Sequence, residues 1–90
     1  MPSAKFNEVY QKTREIKTGP SNDEQLNLYA YAKVAQGEDI SKAPKVGMMD
    51  FTGKAKRKRW QEIVDQGVST EDAEKKYIEL GESLISKHLK

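Results

Sequence analysis

The strongest helical pattern of the chain lies in residues 69–84, which read STEDAEKKYIELGESL. Ser69, followed three residues later by the acid Asp72, is typical of the capping box that opens a helix. Apolar side chains then recur at intervals of four, three and four residues, at Ala73, Tyr77, Leu80 and Leu84. This spacing keeps them on one side of an α-helix, so we predict an amphipathic helix with one buried stripe.

Two helices are predicted in the first half of the chain, separated by a glycine–proline turn. Ser3 can cap the first, which stops at the turn 18–20 because proline disfavours helical geometry in the residue before it. Ser21 or Asn22 opens the second, and Gly37 ends it. The first carries Phe6, Val9, Tyr10, Thr13 and Ile16, and the second carries Leu26, Leu28, Tyr29, Ala32 and Ala35.

The stretch from Gly37 to Gly53 shows no clear periodicity and is long for a connection within a small domain. A third helix follows it, from about Thr52 to Val64. Its predicted apolar side consists of Ala55, Trp60, Ile63 and Val64. A long crossover allows the second and third helices to lie parallel. Since nothing in the sequence is typical of a strand, the predicted fold class is all-α.

Composition limits the functions that the chain can have. Its 90 residues suffice for one domain, 36% are hydrophobic and 33% are charged, and the net charge is only +2. The absence of cysteine excludes disulfides, zinc–thiolate sites and thiol catalysis. Residues 1–5 lack the apolar core of a signal peptide, and no apolar run is long enough to span a bilayer. We therefore expect a cytoplasmic protein.

Enzymatic motifs are not convincing. His88 is the sole histidine and lies near the C-terminus, where a solvated residue is the simpler interpretation. The segment 47–54 superficially resembles a phosphate-binding P-loop. However, five residues separate its glycines where that motif has four, and Ala55 stands where a hydroxyl should hold magnesium. No set of base, nucleophile and oxyanion donor can be assembled, so we expect no catalysis.

Two features admit a structural and a functional interpretation. The basic run 54–59 is expected to be mostly a solvated helix face, with nucleic-acid binding as the alternative. Tyr10, Tyr29 and Tyr77 lie on or beside the apolar stripes of three helices. They are either ordinary core aromatics or the lining of a cleft that receives an anion. Periodicity alone leaves both possibilities open.

The order and spacing of several motifs resemble the acyl-CoA-binding protein family. The matching segments are LYAYAK at 28–33, GMMDFTGKAK at 47–56, Trp60, STEDA at 69–73 and Tyr77 with Ile78. The resemblance implies one domain over residues 3–88, an up-down-down-up four-helix bundle with a long crossover between helices 2 and 3. It also implies one-to-one binding of long-chain fatty acyl-CoA by a monomeric carrier that needs no cofactor or metal. Such a carrier would meet acyl-CoA-using enzymes transiently.

The resemblance also implies a set of ligand-binding residues. Tyr29, Lys33, Lys56 and Tyr77 match the family's positions around the adenosine 3′-phosphate, and Arg14 matches a basic ligand contact on the first helix. Val9 matches a small residue nearby.

Two positions depart from the family pattern. Ala32 stands where the family usually has a tyrosine, and Arg57 stands where it usually has a tryptophan. We expect Ala32 to lie in a shallow site near the surface, where a tyrosine would fit and stack on the adenine. The alternative interpretation is a diverged member with weak ligand affinity that acts as a protein or nucleic-acid interaction module.

Overall fold

The computed structural model describes residues 3–16, 19–43 and 45–88, and within these ranges it contains helices and no strand. The four α-helices are α1 (Ala4–Thr13), α2 (Asn22–Ala35), α3 (Phe51–Asp65) and α4 (Thr70–His88). The prediction of an all-α four-helix bundle is confirmed. None of the described helices is long and apolar enough to cross a membrane.

Side-chain caps fix where the helices begin. The Phe6 N–H donates to Ser3 Oγ at 3.1 Å, and the Asp72 N–H donates to Ser69 Oγ at 3.1 Å. Ser21 and Glu24 form a reciprocal capping box, which selects Ser21 rather than Asn22 as the N-cap of α2. Helix α3 starts at Phe51, slightly before the predicted start, because the Asp50 carboxylate accepts the Gly53 N–H at 2.9 Å.

Helices α1 and α4 run in the same direction, as an up-down-down-up order requires of the first and last helices. The Ser3 N–H donates to Glu74 Oε1 at 2.8 Å, and the Phe6 and Tyr77 ring centroids lie 4.8 Å apart. Further along, a Cβ placed on Gly81 would overlap the Val9 Cγ1 methyl. The two backbones can therefore approach this closely only because residue 81 has no side chain.

The buried stripe of α4 differs from the predicted one. It consists of Ala73, Tyr77, Gly81 and Leu84. Leu80 is only partly buried, because the glycine beside it makes the close contact with α1. On α3, Val64 is 40% exposed although we placed it on the apolar side, since Trp60 and Ile63 hold the inward position.

The first helix is shorter than predicted. It ends at Thr13, after which the Glu15 and Ile16 N–H groups bond three residues back, to Lys12 O and Thr13 O. Ile16 is therefore in a turn rather than on the helix. The helix was predicted to stop at the turn 18–20. Thr18 lies outside the described residues, whereas Gly19 has a φ of 117°, a conformation that favours glycine.

The crossover between α2 and α3 contains regular structure that the sequence did not suggest. Ile40–Lys42 form a 3₁₀ helix, with Asp39 Oδ1 accepting the Ser41 N–H at 2.9 Å. Ile40 is buried, and its carbonyl accepts from Arg57 Nη2 at 3.1 Å. These contacts anchor the crossover to α3. Pro44, which we assigned to the same connection, lies outside the described residues.

Candidate functional site

Tyr29 is the centre of the candidate site. Lys33, one turn along α2, places its Nζ 5.5 Å from the Tyr29 ring centroid, and Lys56 of α3 places its Nζ at 5.4 Å. The Trp60 ring meets Tyr29 edge-on at 6.3 Å and also lies 5.9 Å from Lys33 Nζ. Two helices therefore bring two ammonium groups to a single aromatic ring, where cation–π attraction favours their position.

Three adjoining depressions surround Tyr29, which lines all of them. The first, of about 350 Å³, lies between α2, α3 and the crossover and includes Lys33, Lys56 and Trp60. The second, of about 320 Å³, lies between Lys56 and the end of α1. The third, of about 200 Å³, lies between α1, α2 and α4. The predicted residues that line at least one depression are Arg14, Tyr29, Ala32, Lys33, Lys56 and Tyr77.

Lys33 already has an anionic partner. Its Nζ donates to Glu38 Oε2 at 3.0 Å, and the side chains are 29% and 43% exposed respectively. Glu38 follows the end of α2, and it lines the same depression as Lys33 and Lys56. We did not predict this pair, because a glutamate in a polar loop carries no signal of where it points. Any anionic ligand on Lys33 must compete with this carboxylate.

Tyr77 belongs to both the core and the cleft. It is only 2% exposed, and its ring lies against Phe6 and, at 6.0 Å, Tyr10. Its hydroxyl is 2.7 Å from Thr13 Oγ1, and Thr13 Oγ1 donates to Tyr10 O, so the Tyr77 hydroxyl is the donor to Thr13. Burial raises the pKa of the Tyr77 phenol above its ordinary value of 10.0. The phenol therefore stays neutral and keeps the proton that it donates to Thr13.

The α1 residues that we matched to the family, Arg14 as a ligand contact and Val9 as a small residue nearby, lie in different surroundings. Arg14 is exposed at the C-terminal end of α1, with its guanidinium 5.8 Å from the Tyr10 ring, and it lines the second and third depressions. Val9 is 2% exposed and lines none of the three depressions around Tyr29. Its side chain lies against Gly81. The role of Val9 in the structure is therefore to pack α1 against α4.

The expectation that Ala32 lies near the surface is wrong. Ala32 is 6% exposed and forms part of the wall of the third depression. It belongs to the buried core cluster of the bundle, although it also lines this depression. Arg57, at the other departing position, lines the first depression and donates from its guanidinium to Ile40 O in the crossover.

The basic run 54–59 is only in part the solvated face that we expected, because three of its basic side chains are partly buried. Lys54 Nζ donates to Met48 O at 2.7 Å, and Arg57 donates to Ile40 O. Arg59 binds Asn27 Oδ1 at 2.6 Å and Asp23 Oδ1 at 2.7 Å, and so joins α3 to α2. The run covers more than one helical turn, so its members face different neighbours. The expectation of an exposed residue holds for Lys54 and Lys58.

The indole nitrogen of Trp60 is a further feature of the site that the sequence did not predict. Trp60 is 2% exposed, and its Nε1 has no hydrogen-bond partner among the residues that the structure describes. Trp60 also lines the first depression, beside Lys33 and Lys56. No group of histidines, aspartates or glutamates in the described ranges could hold a metal ion.

Comparison with known proteins places these features in one family. The family model described as acyl CoA binding protein matches residues 3–81. The acyl-CoA-binding protein homolog 1 of Caenorhabditis elegans is 41% identical over 84 residues, which cover 92% of this chain and 93% of the relative. The acyl-CoA-binding protein of Saccharomyces cerevisiae is 40% identical over 88 residues, which cover 98% of both chains. The homolog from Drosophila melanogaster is 39% identical over 88 residues, 98% of this chain and 99% of the relative. The chain therefore belongs to the acyl-CoA-binding protein family.

Proposed function

We propose that this protein binds long-chain fatty acyl-CoA one to one and carries it without chemical change. The observation that carries the proposal is the convergence of Lys33 and Lys56 on the Tyr29 ring, in a chain whose relatives are named for acyl-CoA binding. The 3′-phosphate of coenzyme A is the ligand group that best matches two ammonium groups, since charge-assisted hydrogen bonds are stronger than neutral ones.

The head group is proposed to occupy the first and third depressions. Lys33 lines both, Lys56 lines the first, and the Tyr77 hydroxyl lies at the third. Arg14 adds a cation for the other phosphates of coenzyme A at the junction with the second depression. The dianionic phosphate competes with Glu38 for Lys33 by carrying more charge and more acceptor oxygens.

The acyl chain is proposed to follow the second depression, beyond Lys56. This depression has an apolar side made by Ile16, Pro20 and Leu28. Each methylene removed from water contributes about 0.8 kcal/mol, so chain length can set affinity without a catalytic group. The side chains that we assign to the ligand are cations, phenols and apolar groups, which suit binding rather than proton transfer. We accordingly propose no enzymatic activity and no cofactor.

Further parts of the proposal follow from this role. The protein would act as a cytoplasmic monomer over residues 3–88, keeping a pool of acyl-CoA and meeting acyl-CoA-using enzymes transiently. The alternative role as a protein or nucleic-acid interaction module through residues 54–59 has less support. Lys54, Arg57 and Arg59 each donate a hydrogen bond to another group within the molecule.

Calorimetric titration of lysine variants tests the proposal. Lys33→Ala and Lys56→Ala should each weaken binding of a long-chain acyl-CoA roughly ten- to hundredfold, because each removes a charged hydrogen bond of about 1.5–3 kcal/mol. Lys58→Ala is the matched control, since Lys58 is an exposed lysine on the same helix that lines none of the three depressions.

A ligand without the 3′-phosphate separates the proposed phosphate contact from a general charge effect. For this dephospho form, the losses caused by Lys33→Ala and Lys56→Ala should shrink. The proposal is wrong if the folded wild-type protein shows no complex with acyl-CoA. If binding occurs but both ligands lose affinity equally, the lysines act on another part of the ligand.

A further inference from the structure

Three large apolar side chains are exposed together at the start of α3. Met48 is 84% exposed, Met49 81% and Phe51 69%. They flank Asp50, whose N–H closes a turn on Gly47 O at 3.1 Å. Single exposed apolar residues are ordinary on protein surfaces, but three within four residues form a patch of the kind that marks an interaction surface. We refer to Met48, Met49 and Phe51 as the apolar turn.

Lysines border the apolar turn. Lys54 Nζ donates to Met48 O at 2.7 Å and lies 5.7 Å from the Phe51 ring centroid. Lys58 follows one helical turn later, and both lysines line a depression of about 360 Å³ together with Val46. The acid within the turn, Asp50, directs its carboxylate to the Gly53 N–H. Arg57 and Glu62 line the same depression, so three basic side chains stand against two acidic ones, Asp50 and Glu62, around the apolar turn.

We infer that the apolar turn docks reversibly on the surface of an anionic lipid membrane. Exposed apolar side chains enter the boundary between headgroups and acyl chains, and adjacent lysines are attracted to anionic headgroups. A protein partner would need a cavity matched to three projecting side chains, whereas the headgroup region adapts to them. Methionine side chains are flexible and polarisable, which suits insertion into an irregular environment.

The apolar turn lies next to the candidate site. Val46 and Gly53, on either side of the turn, line the first depression together with Lys33 and Lys56. A docked molecule therefore holds this depression beside the lipid surface, where an amphiphilic ligand enters or leaves. The docking itself needs no bound acyl-CoA, so it can be tested independently of the proposed function.

Flotation of the full chain with vesicles tests the inference in the absence of acyl-CoA. The protein should bind phosphatidylcholine vesicles that contain phosphatidylserine, and added salt should weaken the binding. The triple variant Met48→Ser, Met49→Ser, Phe51→Ser should lower the vesicle partition coefficient roughly tenfold or more, because it removes the inserted apolar surface. Val64→Ser is the matched control, since Val64 is an exposed apolar residue elsewhere on α3.

Two further measurements distinguish insertion from other interactions. Spin-labelled lipids should broaden the NMR signals of residues 48–51 more than those of α4. Circular dichroism of the triple variant should match that of the wild type, because the replaced side chains are exposed. The inference is overturned if the wild type ignores phosphatidylserine vesicles or if the folded triple variant binds them equally well. It is also overturned if the triple variant instead abolishes a concentration-dependent dimer, which would show that a second copy covers the patch.

Discussion

Replacing Glu38 by glutamine should tighten the binding of acyl-CoA. Glu38 holds Lys33 in an ion pair at 3.0 Å, within the depression where we place the phosphate of the ligand. A bound phosphate must displace this carboxylate or share the ammonium group with it. Glutamine keeps nearly the same size and shape but removes the charge. The phosphate can then bind Lys33 without the free-energy cost of breaking an ion pair.

The size of the effect follows from the exposure of the pair. Both side chains are partly exposed, at 29% and 43%, so the pair belongs with surface ion pairs. Such pairs contribute about 0.2–1 kcal/mol, which corresponds to an affinity gain of roughly 1.5- to fivefold. The gain should shrink as ionic strength rises, because salt screens partly exposed charges. Calorimetric titration with a long-chain acyl-CoA at low and high salt measures both quantities.

Glu8→Gln is the matched control for this experiment. Glu8 pairs with Lys12 at 3.2 Å, both side chains are 52% exposed, and neither residue lines a depression around Tyr29. The control changes the net charge by the same amount without releasing a site lysine. If Glu38→Gln binds no more tightly than Glu8→Gln, the carboxylate does not compete with the ligand. A gain that persists for the ligand without the 3′-phosphate would place the competition at another ligand group.

Two further predictions concern α4 and α2. Tyr77→Phe should cost about 0.5–1.5 kcal/mol of stability near neutral pH, because Thr13 loses the donated hydrogen bond. The raised pKa of Tyr77 means that its stabilisation is complete below pH 10.0, the ordinary value, and is lost as pH rises through the higher pKa of the folded state. The difference between wild type and Tyr77→Phe in urea unfolding should therefore narrow in alkali, and a constant difference would contradict this assignment. Ala32→Tyr should cost about 1–3 kcal/mol of stability by overpacking the wall of the third depression. It should nevertheless tighten the binding of acyl-CoA and of free coenzyme A by the same factor, roughly five- to a hundredfold, through stacking on adenine. Unchanged affinity in calorimetry of a folded Ala32→Tyr variant would show that the adenine does not reach position 32.

The sequence was sufficient to predict the helices because their signals are local. A serine cap at Ser69 and apolar residues at helical spacing identify α4 without any knowledge of its neighbours. Gly81 is a buried residue that this reasoning missed. A hydrophobic pattern does not mark a glycine as buried, although Gly81 packs so closely against Val9 of α1 that a Cβ there would overlap it. The buried stripe therefore differs from the predicted one at that point.

The polar contacts of the bundle were the least predictable part. We expected Arg57 and Arg59 to be surface residues of a basic run. Arg57 instead binds the crossover, and Arg59 binds Asp23 and Asn27 on α2. Each contact joins segments that are distant in sequence, so its partner depends on the tertiary arrangement. Burial of Ala32 has the same origin, because its depth is set by the helices that lie over α2.

Two of the four groups that we assign to the 3′-phosphate have polar partners within the protein. Lys33 is paired with Glu38, and the Tyr77 hydroxyl donates to Thr13. In the complex that we propose, binding would exchange these contacts for new ones, and only the difference would contribute to affinity. For Lys33 the exchange favours the ligand, because a phosphate dianion replaces a single carboxylate. For Tyr77 a charged acceptor replaces a neutral hydroxyl, which is again the stronger hydrogen bond. Both exchanges gain from the charge of the phosphate, so a ligand without it should leave Lys33 with Glu38 and Tyr77 with Thr13.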